Sequence, residues 1–446
     1  MQIVDQLITA IESGALSAGC GLPSSRALAQ TLGISRTVVL AAYSELFARG
    51  YLRSLPGSGT FVAEPAGARP RAAEPAPASR RRSIDFSPGV PNLERYPRSE
   101  WRSAWQTASY AQPSATSAPA MGLARLREQV AAHLNRTRGI GCVPGRLMIT
   151  DGLAHGLDIL AELAAGAGAS AVVEDPAHPL VAHQLERRGL AHVPTPVGPD
   201  GLRIELLPDS ASLAVVTPSQ QFPLAPQMPL HKRRELIGWA ARSGVLLVEL
   251  DIADELHSRE GFVPCLASLD PAGSVVAYLG TFEHVLSRDL PLGYLVLPEA
   301  LVKAAENYVA ITGSGPTALA QRAALELFSR GDVARYVNRL YRIYQEKRSV
   351  VRRHLEQLPV ESLTGLSGNH VAVELRSDRP AESVSDRLAS AGVLIRPASA
   401  YRRPRSTDLV DDDFATGNIL IAGFGHLSSP EIERGLLALG RVLETG

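Results

Sequence analysis

Apolar positions near the start of the chain recur at helical spacing twice, with one glycine between the two runs. Leu28, Ala29 and Leu32 make the first stripe. The segment Leu22-Pro23-Ser24-Ser25-Arg26 opens that helix, since proline suits a first turn and serine side chains cap its unpaired amides. Gly33 supplies a tight turn and Ser35 caps a second helix, in which Val38, Val39, Ala42, Tyr43 and Leu46 form the apolar stripe. Arg36 and Thr37 fall on its exposed first turn. After Gly50-Tyr51-Leu52 the period changes to strand, turn and strand from Arg53 to Val62, turning at Pro56-Gly57-Ser58-Gly59. Two helices across a tight turn, followed by a hairpin, make a helix-turn-helix with a wing; its second helix meets base edges with its first turn.

From Ala63 to Ser83 the pattern gives way to alanine, proline and arginine, a semi-extended linker with nothing apolar to bury. It carries Arg69, Arg71, Arg80, Arg81 and Arg82 against Glu64 and Glu74. About 20 such residues, at roughly 3.1 Å each, span on the order of 60 Å.

From about Ile84 onward, helical and strand patterns alternate. Helices are expected from Leu123 to Asn135, Ala154 to Ala164, Arg233 to Arg242, Ala318 to Phe328 and Val333 to Gln357. Short apolar strands are expected from Arg146 to Thr150, Ala171 to Glu174, Leu213 to Thr217, Val245 to Glu249 and Val275 to Leu279. Fully apolar strands between helices imply an α/β body with a parallel sheet covered on both faces, its ligands beyond the strands' carboxyl ends. Val371-Ala372-Val373 and Ile419-Leu420-Ile421 belong to a smaller C-terminal α+β domain. The expected divisions are 1–62, 63–83, 84–345 and 346–446.

Composition narrows this picture only slightly. The 446 residues, 45% hydrophobic, suit a soluble protein of two or three domains. Formal net charge is zero, and residues 1–62 carry four arginines against three acids, so attraction to nucleic acid rests on local geometry. Cys20, Cys142 and Cys265 have no paired or metal-type spacing, and no export signal or membrane span is read, so a cytoplasmic location is expected.

The intact head closely resembles the winged-helix domain of the GntR family. That resemblance implies a dimeric bacterial transcription factor contacting double-stranded operator DNA through Arg26, Ser35, Arg36, Thr37, Gly57, Ser58, Gly59 and Thr60. The body resembles fold type I aminotransferases, the pyridoxal phosphate-dependent transferase fold, and specifically the effector domain of MocR-type regulators. Ser87 to Pro91, Leu126-Arg127, Ile149 to Gly152, Glu174-Asp175-Pro176, Thr217 to Pro223, Gly280-Thr281-Phe282 and Leu292-Gly293-Tyr294 carry the likeness collinearly over nearly the whole chain.

Pyridoxal phosphate chemistry needs a lysine for the Schiff base, an acid beside the pyridine nitrogen and donors for the phosphate. The family's lysine follows Gly-Thr-Phe-Ser; here Gly280-Thr281-Phe282 continues into Glu283 and His284. Imidazole forms no aldimine, and the three lysines, Lys232, Lys303 and Lys347, lie in helical segments elsewhere. The family's Glu-Asp-Asp-Tyr aligns with Glu249-Leu250-Asp251-Ile252, so Leu250 and Ile252 replace the pyridine-pairing acid and the phenol; a shift of register would bring Asp251 there instead. At the phosphate, Glu283 replaces a serine and Pro291 an arginine, and a carboxylate beside a dianion repels it. His178 stands where an aromatic covers the cofactor ring.

No catalytic residue, no metal and no covalently bound cofactor are therefore expected. The remodelled pocket is expected to gather Gly152, Leu153, His178, Gln220, Leu250, Asp251, Ile252, Glu283 and His284, and to receive a small-molecule effector without a covalent bond. Likeness to MocR-type regulators also implies a head-to-tail homodimer. The alternative is a sensor or aminotransferase that keeps pyridoxal phosphate in an unusual mode.

Overall fold

The computed structural model describes residues 2–12, 15–55, 59–63, 83–112, 114–166, 168–208, 210–252, 256, 263–366, 368–376, 379–402 and 418–444. Two compact units emerge, Met1–Arg80 and Arg81–Gly446. Of the expected linker, residues 64–82, including its five arginines, lie outside the described residues.

In the first unit, helices Gln2–Glu12, Ser25–Leu32 and Arg36–Ala48 precede the hairpin Leu52–Leu55 and Gly59–Val62. A short strand Gly21–Leu22, unforeseen in the sequence pattern, pairs antiparallel with the second hairpin strand, Gly59–Val62, which becomes the centre of a three-stranded sheet. Gly33 ends the second helix in the left-handed region at φ +66, the conformation that favours glycine. Val4, Ala29, Val39, Ala42, Tyr43, Leu46, Leu52 and Val62 form the core. Two members of the expected stripes are not part of it: Val38 is 48% and Leu32 49% exposed. Val38 lies one residue out of phase with Val39, Ala42 and Leu46, and the 100° step per residue carries it off the buried arc.

The second unit is built on an eight-stranded sheet. Its spatial order is Leu147–Asp151, Leu292–Val296, Val276–Thr281, Leu246–Asp251, Leu213–Val216, Ser170–Asp175, Ala191–Gly198 and Gly201–Leu202. The strands are parallel except for Leu292–Val296, antiparallel to both neighbours, and the short closing strand Gly201–Leu202. On one face, Leu153, Leu157 and Leu160 of helix Gly152–Ala164 and Val181 and Leu185 of helix Pro179–Arg187 pack onto Val173, Val215, Val248 and Leu279. On the other, Leu236 and Trp239 cover Ala214, Val216 and Leu247. Each fully buried leucine contributes roughly 2 kcal/mol.

The smaller sheet orders Val360–Thr364, His370–Leu375, Ile419–Gly423 and Arg396–Pro397, all antiparallel. The expected division at 345 and 346 falls inside a continuous helix, Asp332–Leu355, whose apolar side is buried along its whole length. Ile84–Asp85, placed by the sequence pattern in the large domain, pairs in parallel with Val393–Leu394 of the smaller lobe.

Candidate functional site

In the head, capping chemistry aligns the two helix starts. Ser24 Oγ accepts from Ala27 N at 3.2 Å and Ser35 Oγ from Val38 N at 3.4 Å. Arg36 Nε donates to Ser25 Oγ at 3.3 Å, and the Tyr43 hydroxyl donates to the Pro23 carbonyl at 2.8 Å, linking the second helix to the third. Arg26, Ser35, Arg36, Thr37 and Gly59 are exposed and Thr60 is half-buried; Gly57 and Ser58 lie outside the described residues.

In the body, the expected pocket residues sit at or just beyond the carboxyl ends of five strands, where ligands of such sheets bind. Gly152 and Leu153 begin a helix directly after Asp151; His178 and Gln220 follow the strands ending at Asp175 and Val216; Glu283 and His284 follow Thr281. Within the strand Leu246–Asp251, alternation sends Leu250 and Asp251 to opposite faces. Leu250 joins Leu153, with Ile252 packed against the same apolar cluster. Asp251 is held by Arg138, at 2.6 Å from Nη2 and 3.1 Å from Nε, and by the hydroxyl of Tyr278. Asp251, expected among the pocket residues, is engaged in that ion pair, and its charge still acts on His284.

Gln220 reaches the smaller lobe. Its Nε2 reaches the carbonyls of Gly365 and His370 at 3.4 Å each, and its Oε1 has no partner among the described residues. His178 caps helix Pro179–Arg187, its Nδ1 accepting from Leu180 N at 3.2 Å, and its ring lies 5.1 Å from that of Phe222. A neutral His178 therefore carries its proton on Nε2.

Glu283 and His284 stand where the likeness to aminotransferases leads one to expect a serine and a lysine. Gly152 adopts φ +69, and a Cβ placed there would strike Glu283 Oε1. The carboxylate lies at the first turn of helix Gly152–Ala164 beside the Leu153 amide, while the Thr281 hydroxyl accepts from the Glu283 backbone N at 3.1 Å and donates to the Leu292 carbonyl at 3.2 Å. Burial raises the pKa of Glu283, while the neighbouring Thr281 side chain and the charge of Arg288 oppose that rise. An anion at a helix start gains from the unpaired amides and the dipole, so an internal carboxylate occupies ground suited to a phosphate.

His284 is buried, and its Nδ1 has no partner among the described residues. Burial, then the charges of Arg288 and His178, hold its pKa down at about 4, against a smaller opposing effect of Asp251. Burial and Arg288 likewise hold His178 at about 4. Both imidazoles are neutral near pH 7 and neither supplies an amine. Arg288, whose Nη2 donates to the Gly89 carbonyl at 2.7 Å, escaped the sequence pattern. It is the single arginine between Phe282 and Pro291, three residues before the proline that marked a missing cation.

Beside this site lies a cavity of about 270 Å³ lined by Glu174, Asp175, His178, His192, Tyr401 and Arg402 among others; His178 alone of the expected pocket residues lines it. Arg402 faces Asp175 at 3.7 Å. Glu174 Oε2 accepts from the hydroxyl of Thr217 at 2.6 Å, and burial raises this acid to a pKa of about 7.

Comparison with known proteins fits both halves. Residues 1–62 match the family of bacterial regulatory proteins, gntR family, and residues 82–408 match aminotransferase class I and II. The chain is 32% identical to the HTH-type pyridoxine biosynthesis transcriptional regulator PdxR of Corynebacterium glutamicum, over 95% of this chain and 91% of that protein. It is 34% identical to the probable rhizopine catabolism regulatory protein MocR of Rhizobium meliloti, over 79% and 77%. The chain belongs to the MocR-type GntR regulators. As a member of that family this MocR-type protein is a transcriptional regulator, and its partner is DNA.

The MocR-type body is also similar to solved aminotransferases. An archaeal alanine:glyoxylate aminotransferase superposes with a TM-score of 0.72 at 25% identity, covering 81% of this chain and 91% of that one. The α-aminoadipate aminotransferase LysN of Thermus thermophilus gives 0.69 at 25% identity, covering 82% and 93%. Among the described residues of this MocR-type regulator, no helix is long and apolar enough to cross a membrane.

Proposed function

We propose that this regulator binds operator DNA as a head-to-tail homodimer and that its aminotransferase-like body is catalytically silent. The body forms no Schiff base with pyridoxal phosphate, and it responds instead to a small polar effector held without a covalent bond. Glu283 and His284 carry the proposal: the residue in the lysine position is a buried neutral imidazole, and the carboxylate before it lies on the amides that would bind a phosphate. The residues present do not fit the cofactor. A phosphate dianion set beside Glu283 meets a like charge, Leu250 offers the pyridine nitrogen no acceptor, and Asp251 is committed to Arg138. The cavity beside His178, with Arg402 and Tyr401 in its wall, is the space assigned to the effector.

An absorption scan of the purified protein, followed by titration with pyridoxal phosphate and treatment with borohydride, tests this. A colourless protein that gains no borohydride-fixable adduct is expected. A visible band, fixed by borohydride to a peptide of this chain in mass spectrometry, would establish the cofactor-dependent alternative.

A further inference from the structure

We propose that Leu40 is a specificity-determining residue of the DNA reader, recognising the 5-methyl group of a thymine next to a base pair contacted by Arg36. This rests on the DNA-binding role proposed above.

The recognition helix Arg36–Ala48 commits Val39, Ala42, Tyr43 and Leu46 to the core of its unit. At 100° per residue, Thr37, Ala41 and Ser44 fall opposite that core, and Arg36 and Leu40 on one flank between the two. The first two turns of the helix, the part that reaches base edges, therefore offer one guanidinium, one hydroxyl and aliphatic carbon. Leu40 is 49% exposed; Phe47, 37% exposed on the same side of the helix, lies seven residues further on, beyond the turns that reach base edges.

Arg36 and Leu40 are four residues apart, so they stand one above the other on the helix surface. Arg36 is aimed by its Nε hydrogen bond to Ser25. A leucine side chain neither donates nor accepts a hydrogen bond, so against the exocyclic amine of cytosine or adenine it would leave a desolvated donor unpaired. The thymine methyl is the apolar group displayed in the major groove, and contact with it brings two hydrocarbon surfaces out of water. Val38 is also exposed, at 48%, but it projects about 160° from Leu40 around the helix, on the other flank.

The test uses the full-length protein. Duplexes are enriched from a random pool, and the best one is remade with each thymine replaced in turn by uracil, which lacks the methyl and keeps every hydrogen-bonding group. In each half-site one uracil should weaken binding by roughly fourfold, the worth of one buried methyl. In Leu40→Ala the same uracil should make no difference. Equal binding of every uracil-containing duplex by the native protein would overturn the inference without any variant being needed. So would methyl sensitivity that persists in Leu40→Ala, which would place Leu40 against protein. If no duplex is enriched, or if Arg36→Ala binds the enriched duplex as well as the native chain does, the DNA-binding assignment of this helix fails and takes the inference with it.

Discussion

The carboxylate of Glu283 lies where a side chain at Gly152 would have to go. Gly152 is held at φ +69 at the start of its helix, and the helix amides that follow it are served by a residue from a different strand end. The two positions are thus sterically and electrostatically matched. Gly152→Ala should destabilise the body by roughly 2 kcal/mol or more, combining left-handed strain with displacement of the carboxylate. Adding Glu283→Ala should recover the steric share, with a coupling of about 1 kcal/mol in a double-mutant cycle of urea unfolding. Strictly additive effects would show that the two residues do not act on one another.

On the proposed reading, a lysine placed at position 284 should not by itself give a pyridoxal phosphate site. His284→Lys mixed with pyridoxal phosphate is expected to show no stable visible band, because Leu250, Ile252 and Glu283 still oppose the ring and the phosphate. A strong yellow colour abolished by borohydride would contradict this, and absorption spectroscopy reads it directly.

On the DNA side, Arg36→Ala should abolish selective binding to an enriched duplex and leave the oligomeric state unchanged. Arg36 is exposed and contributes nothing to the core of its unit. Gel shift at moderate salt and light scattering separate the two properties. An unaltered shift would count against the recognition helix.

The buried imidazoles set an acid limit on stability. His178 and His284 bind protons with a pKa of about 4 in the folded chain, below the ordinary histidine value of 6.5. The unfolded chain therefore protonates first as pH falls. Each contribution is complete above pH 6.5 and is lost progressively as pH drops toward about 4, by up to a few kcal/mol. Glu174 and Glu249, raised to about 7 by burial, act in the opposite sense: their contributions are complete below about pH 4.5 and are lost as pH rises through 7. His284→Gln should consequently unfold with a shallower acid dependence than the native chain between pH 6.5 and 4. Parallel curves of urea midpoint against pH would show that His284 is not held neutral in the folded state.

Much of this architecture was legible because single residues forced local outcomes. Gly33 and Ser35 mark the turn and the cap, and both act as expected. Apolar strands such as Val172 and Val173 or Leu247 and Val248 are flanked by helices, which requires a sheet covered on both faces. The collinear loop motifs carried the family. Less legible was whatever depends on phase or on distant pairing. Val38 and Val39 are indistinguishable by composition, and helical phase alone buries the second. Asp251 stands beside Leu250 in sequence, and nothing local announces its pairing with Arg138, 113 residues away. The pairing of Ile84 with Val393 has no local signature, since a two-residue strand carries almost no periodicity.

That last pairing has a mechanical consequence. The chain that leaves the DNA reader enters the body by bonding first to the smaller lobe, through Ile84 N to the Gly392 carbonyl and Phe86 N to the Leu394 carbonyl, at 2.9 and 2.8 Å. The first described residues of the body are thereby part of the smaller lobe's own hydrogen bonding. Unfolding of that lobe would release residues 84–86 with it, although they precede every strand of the large sheet in the chain.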